Sequence, residues 1–145
     1  DAFIWTEPHI SQAIKQGNGR FHAINTPGLY RTYSNIITLQ STIDQKPELL
    51  VKALKALIAG DKALKADPEG AIRIVSDRIK LDPETTRAFW PRLKFDLTLD
   101  KEALVKELES QAQWAIANNL VRPDAKLPDF NTVVIPKLLE AAQKK

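Results

Sequence analysis

The sequence predicts an α/β fold that is mostly helical with a few short strands. Ala2, Phe3, Ile4 and Trp5 form an apolar run ahead of Thr6-Glu7-Pro8, the pattern of a buried strand passing straight into a helix. Residues 33–40 (Tyr-Ser-Asn-Ile-Ile-Thr-Leu-Gln) are β-branched and apolar at their centre, the strongest strand signal in the chain. Beyond Gln40 the apolar residues recur at helical spacing almost to the end.

Taken in order, Thr6 is the expected N-cap of the first helix, with Glu7 and Pro8 in its first turn. Ile10, Ala13 and Ile14 form its apolar stripe, Gly17 suits its C-cap, and Asn18-Gly19 suits a turn. A second short strand is predicted over 20–25, and Thr26-Pro27-Gly28 fits a type II turn. Three helix starts then share one chemistry: Lys46-Pro47-Glu48, Asp67-Pro68-Glu69 and Asp82-Pro83-Glu84. Proline at the first helical position loses only an N–H that would be orphaned anyway, and the glutamate meets the positive end of the helix dipole. Asp67 and Asp82 are the expected N-caps. The unequal spacing of the three starts argues against a solenoid repeat.

The helix predicted over 47–66 turns Leu50, Leu54, Leu57, Ile58 and Leu64 inward and Lys52, Lys55, Lys62 and Lys65 outward. Gly60 in its interior costs about 1 kcal/mol relative to alanine, so close packing or a bend is expected there. A helix over 68–80 should bury Ile72, Val75 and Ile79. A short one over 83–90 should stop at Pro91, because the residue before proline is pushed out of the helical region. Phe95, Leu97 and Leu99 alternate in an extended connector. A long helix over 100–118 carries the stripe Leu104, Leu108, Ala112 and Ala115, and a last one covers 136–143. Trp90 and Trp114 are assigned to helix packing.

Length and a 43% apolar content are those of one globular domain. No stretch approaches the twenty apolar residues of a membrane helix. The absence of cysteine excludes disulfides, a thiolate nucleophile and a cysteine-based zinc site. The net charge is +3, but the lysines are interspersed with Asp and Glu, and no aromatic–arginine cluster suggests a nucleic-acid partner. His9 and His22 stand on different predicted elements without a carboxylate cluster at metal-ligand spacing. There is no Gly-x-Ser-x-Gly elbow, and Gly17-Asn-Gly19 lacks the third glycine of a dinucleotide loop. No catalytic residue, cofactor or metal is therefore expected, and the chain does not read as an enzyme.

Trp5 and Glu7 stand out by position, at the carboxyl end of the predicted opening strand, the edge where open α/β sheets bind ligands. Two readings stand side by side. In one, the indole walls a pocket and the carboxylate accepts hydrogen bonds from a ligand. In the other, Trp5 is core and Glu7 merely complements the helix dipole. Tyr33, Ser34 and Asn35 could line a cleft; alone they read as a loop.

The segment Asp1-Ala-Phe-Ile-Trp-Thr-Glu-Pro8 resembles one in the substrate-binding proteins of ABC importers for nitrate, sulfonate and taurine, a group that includes relatives binding the thiamine pyrimidine. The likeness continues through Asp44-Gln-Lys-Pro-Glu-Leu-Leu-Val51, Ala66-Asp67-Pro68-Glu69-Gly70-Ala71 and Leu81-Asp-Pro-Glu84. It ends with Gln113-Trp114 and Ile135-Pro-Lys-Leu-Leu-Glu-Ala141. Each motif is modest; their order carries the weight.

This resemblance implies the carboxyl-terminal part of a type II periplasmic-binding-protein fold. Residues 1–32 would end the second lobe, and 33–145 would supply a hinge strand and helices returning to the first. It makes Trp5 and Glu7 cleft residues, with Thr6 and Asn35 beside them. The implied function is capture of a small solute such as a sulfonate, nitrate or taurine by lobe closure without chemistry, and delivery to a membrane permease. An anionic solute would not meet Glu7 directly, so Glu7 is expected to meet an amine or hydroxyl, or to orient a neighbouring donor. The location implied is periplasmic or otherwise extracytoplasmic. Asp1 would be a truncation point, the missing amino-terminal half of the same protein a partner, and self-association of the fragment through its uncovered surface an expectation. The alternatives are an enzyme of thiamine-pyrimidine synthesis on the same scaffold, which the lack of cysteine disfavours, and a helical protein-interaction module.

Overall fold

The computed structural model describes residues 2–24 and 33–144. Of these, 61% are helical and none lies in a strand, so cohesion rests on helix packing alone. The chain divides into two compact units, one of Asp1–Thr38 with Gly60–Asp96 and the other of Leu39–Ala59 with Leu97–Lys145.

This corrects the α/β expectation. The stretches predicted as strands at 2–5 and 33–40 have no regular structure, apart from Gln40, which opens a helix; residues 21–24 are likewise irregular. Asn25 and the turn predicted at Thr26-Pro27-Gly28 lie outside the described residues. A strand holds its shape only when a neighbour takes up its N–H and C=O groups. Among the described residues no neighbour does so, and the apolar side chains meant for a core stand open, Ile4 at 95% and Ile37 at 89% exposure.

The first unit holds α1 (His9–Gln16), the end of α3 (Pro47–Ala66), α4 (Pro68–Ile79), α5 (Pro83–Phe89) and a 3-10 turn at Trp90–Arg92. The capping aspartates act as the sequence predicts. Asp67 accepts the Gly70 N–H at 2.9 Å, and Asp82 accepts the Thr85 N–H at 3.0 Å. Gly70 is what lets the Asp67 carboxylate come so close, since a Cβ there would collide with it. The α4 helix ends at Lys80, which takes up a left-handed conformation (φ 56°), and the N–H of Leu81 turns back to the Ser76 carbonyl at 3.0 Å. Helix α5 ends at Phe89, ahead of Pro91 as predicted, but Trp90 keeps helical angles, so the stop does not come from Trp90 being pushed out of the helical region.

Helices α4 and α5 pack through Ala71, Ile72 and Phe89, all buried. Burial of Ile72 and Phe89 stabilises by roughly 1.5–3 kcal/mol each. Between them Ser76 and Thr86 are fully enclosed, and the Ser76 hydroxyl donates to Thr86 Oγ1 at 2.8 Å. Thr86 passes its own proton to the Asp82 carbonyl at 3.3 Å, so neither hydroxyl is orphaned. Val75 is half-buried and Ile79 exposed, so the buried face is centred on Ala71, Ile72 and Ser76, not on the predicted triplet. Outside this seam Arg87 grips Glu69 with two hydrogen bonds of 3.1 and 2.7 Å.

The second unit holds α2 (Gln40–Gln45), the start of α3, α6 (Lys101–Ala117), a 3-10 turn at Phe130–Thr132 and α7 (Lys137–Gln143). Its buried apolar residues are Ile43, Leu104, Val105, Val134, Leu139 and Ala142. Asp100 caps α6 through the Ala103 N–H at 3.0 Å, and Lys101 Nζ donates to the Asn131 carbonyl at 2.9 Å, tying α6 to the 3-10 turn. Trp114 is 61% exposed, so its assignment to packing is corrected.

Helix α3 has the predicted bounds but no fully buried residue. Leu50, Leu54, Ile58 and Leu64 are half-buried and Leu57 is exposed. Gly60 lies in open space, which excludes the close packing expected of it.

Candidate functional site

Trp5, Thr6 and Glu7 lie on the turn that leads into α1. The Thr6 carbonyl accepts the His9 N–H at 3.0 Å, Glu7 joins Pro8 through a cis peptide bond, and α1 begins at His9. The capping role assigned to Thr6 belongs to Glu7. Its Oε2 accepts the Ser11 N–H at 3.1 Å, while the Thr6 side chain makes no cap. The other oxygen of Glu7, Oε1, accepts a hydrogen bond from Arg92 Nη1. The Glu7 side chain is only 13% exposed. Both carboxylate oxygens therefore have partners within the chain, the Ser11 N–H and the Arg92 guanidinium.

Trp5 is 60% exposed and meets the His9 ring edge-on, with centroids 5.6 Å apart and planes at 81°. Asn35 lies in the exposed, irregular run at 34–39, and no hydrogen bond among the described residues joins it to Trp5, Thr6 or Glu7.

Beyond the turn, α1 and α5 border a shallow, open hollow of about 290 Å³, lined by Ser11, Ile14, Lys15, Glu84, Thr85, Ala88 and Arg92. Lys15 Nζ bridges Asp82 Oδ1 and Glu84 Oε2 at 3.0 Å each. Those hydrogen bonds, to Asp82 first, raise the Lys15 pKa above its ordinary 10.5. The Asp82 carboxyl is held well below the usual range, chiefly by the Thr85 hydroxyl at 2.6 Å, then by the Thr85 N–H and by Lys15. Both cations at the hollow are thus engaged by carboxylates, Lys15 by two and Arg92 by Glu7. Arranged this way the hollow offers no spare positive charge to an anion.

Arg92 and Lys15 are absent from the sequence-based reading of the site. Arg92 stands 85 positions from Glu7 and no short-range pattern links them. Lys15 had only its place in the last turn of α1 as a signal, and that suits the helix dipole alone. Among the described residues no group of three or more His, Cys, Asp or Glu side chains could hold a metal ion. Nor is any described helix long and apolar enough to cross a membrane. No protein-family model, curated protein or solved structure matches this chain.

Proposed function

We propose that the chain is a partial solute-binding component of an ABC importer, contributing one wall of a binding cleft for a small solute such as a sulfonate, nitrate or taurine. The observation that supports this reading is the exposure of Phe3, Ile4, Trp5, Ile36, Ile37 and Leu39 in the two runs to which the family resemblance assigns strands. Apolar residues in irregular backbone are stabilised only when another surface covers them. The ordered motifs from Asp44 to Ala141 name the amino-terminal half of such a protein as that surface. In this role Trp5 is the aromatic wall, and the Glu7–Arg92 pair, already neutralised, leaves an anionic solute to donors of the covering half. Function is extracytoplasmic, and the partners are the solute, the covering half and a membrane permease.

The test is to express the whole reading frame that contains this chain and titrate it calorimetrically with taurine, nitrate and an alkanesulfonate. Saturable one-to-one binding of one of them supports the reading. Binding of none by a two-lobed product, or a reading frame with no second half, rejects it.

The all-helical structure favours a second reading, a helical protein-interaction module whose exposed apolar residues bind another chain or a second copy. Self-association of this chain is expected on both readings, so the parent reading frame separates them. A secretory or lipoprotein signal with a further half-domain upstream supports the solute-binding reading and rejects the module, and its absence supports the module.

A further inference from the structure

We propose that α1 is a salt-released strap, held across α5 by ionic latches at its two ends and not by a buried core. No residue of α1 is buried. At its leading end Glu7 pairs with Arg92, just beyond α5; at its trailing end Lys15 pairs with Asp82 and Glu84, at the start of α5. Arg92, Lys15, Asp82 and Glu84 are each about half exposed or more and Glu7 is 13% exposed, so solvent ions reach the trailing latch from both partners and the leading one through Arg92. Between the latches the two helices touch, with Ile10 and Ala13 of α1 only half-buried. The helices leave the hollow, with Ser11 and Ile14 on one side and Thr85 and Ala88 on the other.

A helix packed through a filled core keeps its place in salt, because burial of apolar surface is not screened. A helix joined by exposed charges does not, since the screening length falls from about 10 Å at 0.1 M to about 3 Å at 1 M. The neighbouring α4–α5 seam has the opposite construction: Ile72, Phe89 and the Ser76–Thr86 hydroxyl pair are enclosed. Salt should therefore lift α1 while α4 and α5 stay packed, opening the Ile14 and Ala88 sides of the hollow. This inference stands apart from the proposed transport role.

Hydrogen exchange of the chain in 0.05 M and 1 M sodium chloride tests it. Amides of Ala13, Lys15 and Gln16 are expected to exchange about fivefold faster in high salt, as the loss of weak exposed pairs implies. Amides at Ile72, Ser76 and Phe89 should change by less than twofold. The double variant Lys15→Gln, Arg92→Gln should show the fast α1 exchange already at low salt, with no further response, and Lys15→Arg should preserve the latch. Salt-independent α1 exchange in the native chain, or parallel acceleration in α1 and α4, would overturn the strap. Because that arm uses the unmutated chain, the result stands even where the double variant fails to fold.

Discussion

Glu7 and Arg92, 85 positions apart, are joined by an ion pair in which the carboxylate also caps α1 through the Ser11 N–H. One side chain thereby fixes both the start of a helix and the direction of a guanidinium. Replacing Glu7 by alanine removes the cap and the pair together, at a cost of about 1–2 kcal/mol. Arg92→Ala leaves the cap intact and should cost less than about 1 kcal/mol, as exposed pairs do. Urea unfolding of both variants checks the order; an equal cost would show that the cap contributes nothing.

Asp82 contributes to the acid response of the first unit, beside Glu69, whose carboxyl the Arg87 hydrogen bonds also hold below its ordinary value. Folding favours the ionised form of Asp82, because the Thr85 hydroxyl and N–H and Lys15 hold its carboxyl below the ordinary 3.8. Its contribution is therefore complete above the unfolded value and is lost as pH falls below about 4 toward the folded one. Asn at this position still caps a helix but does not titrate. Between pH 7 and pH 3 the urea midpoint of the parent chain should fall further than that of Asp82→Asn. Equal falls would remove Asp82 from the acid response. Lys15 works in the other direction: its raised value stabilises below 10.5, and that contribution fades as pH climbs through the folded value.

Gly60→Ala should stabilise the chain. The glycine is inside a 20-residue helix with open space where a Cβ would stand. Alanine there gains roughly 0.5–1 kcal/mol from a less flexible unfolded chain and a better helix propensity. Thermal unfolding that is unchanged or lowered would reveal a close approach at Gly60 that the structure does not contain.

Trp5→Ala separates stability from binding. The ring is more exposed than covered, so its removal should change the stability of this chain by less than about 0.5 kcal/mol. In the full reading frame the same substitution should weaken solute binding tenfold or more, about 1.4 kcal/mol. Unchanged affinity takes Trp5 out of the site. The chain alone should hold no solute, and retention of one in native mass spectrometry would contradict the need for a second wall.

Helices were legible because their signals are local. Asp67 and Asp82 with the prolines after them place the starts of α4 and α5 correctly, and α6 at Lys101–Ala117 falls within a residue of its predicted bounds. Strands were not, because a strand is specified by partners as much as by its own residues. The run Tyr33 to Leu39 has β-branched, apolar character but no described neighbour to pair with. Burial was half legible: Ile72 and Leu104 are enclosed as their stripes predict, whereas Leu57 and Ile79 lie near the edges of half-covered helices. At the candidate site Trp5 and Glu7 could be singled out by position. The pairing of Glu7 with Arg92 and of Lys15 with Asp82 depends on how α1 meets α5, which no short window of sequence encodes.

The enclosed Ser76–Thr86 pair constrains how this sequence can drift. Losing the Thr86 hydroxyl strands the buried Ser76 proton, a penalty of about 1–3 kcal/mol, whereas Thr86 without Ser76 keeps the Asp82 carbonyl as its partner. The two single steps are therefore unequal, and the cheaper route to an apolar seam loses the Ser76 hydroxyl first. Natural variants of this chain should include Thr86 without a hydroxyl at 76 far more often than the reverse, and the seam between α4 and α5 then carries a two-letter record of the order of its own changes.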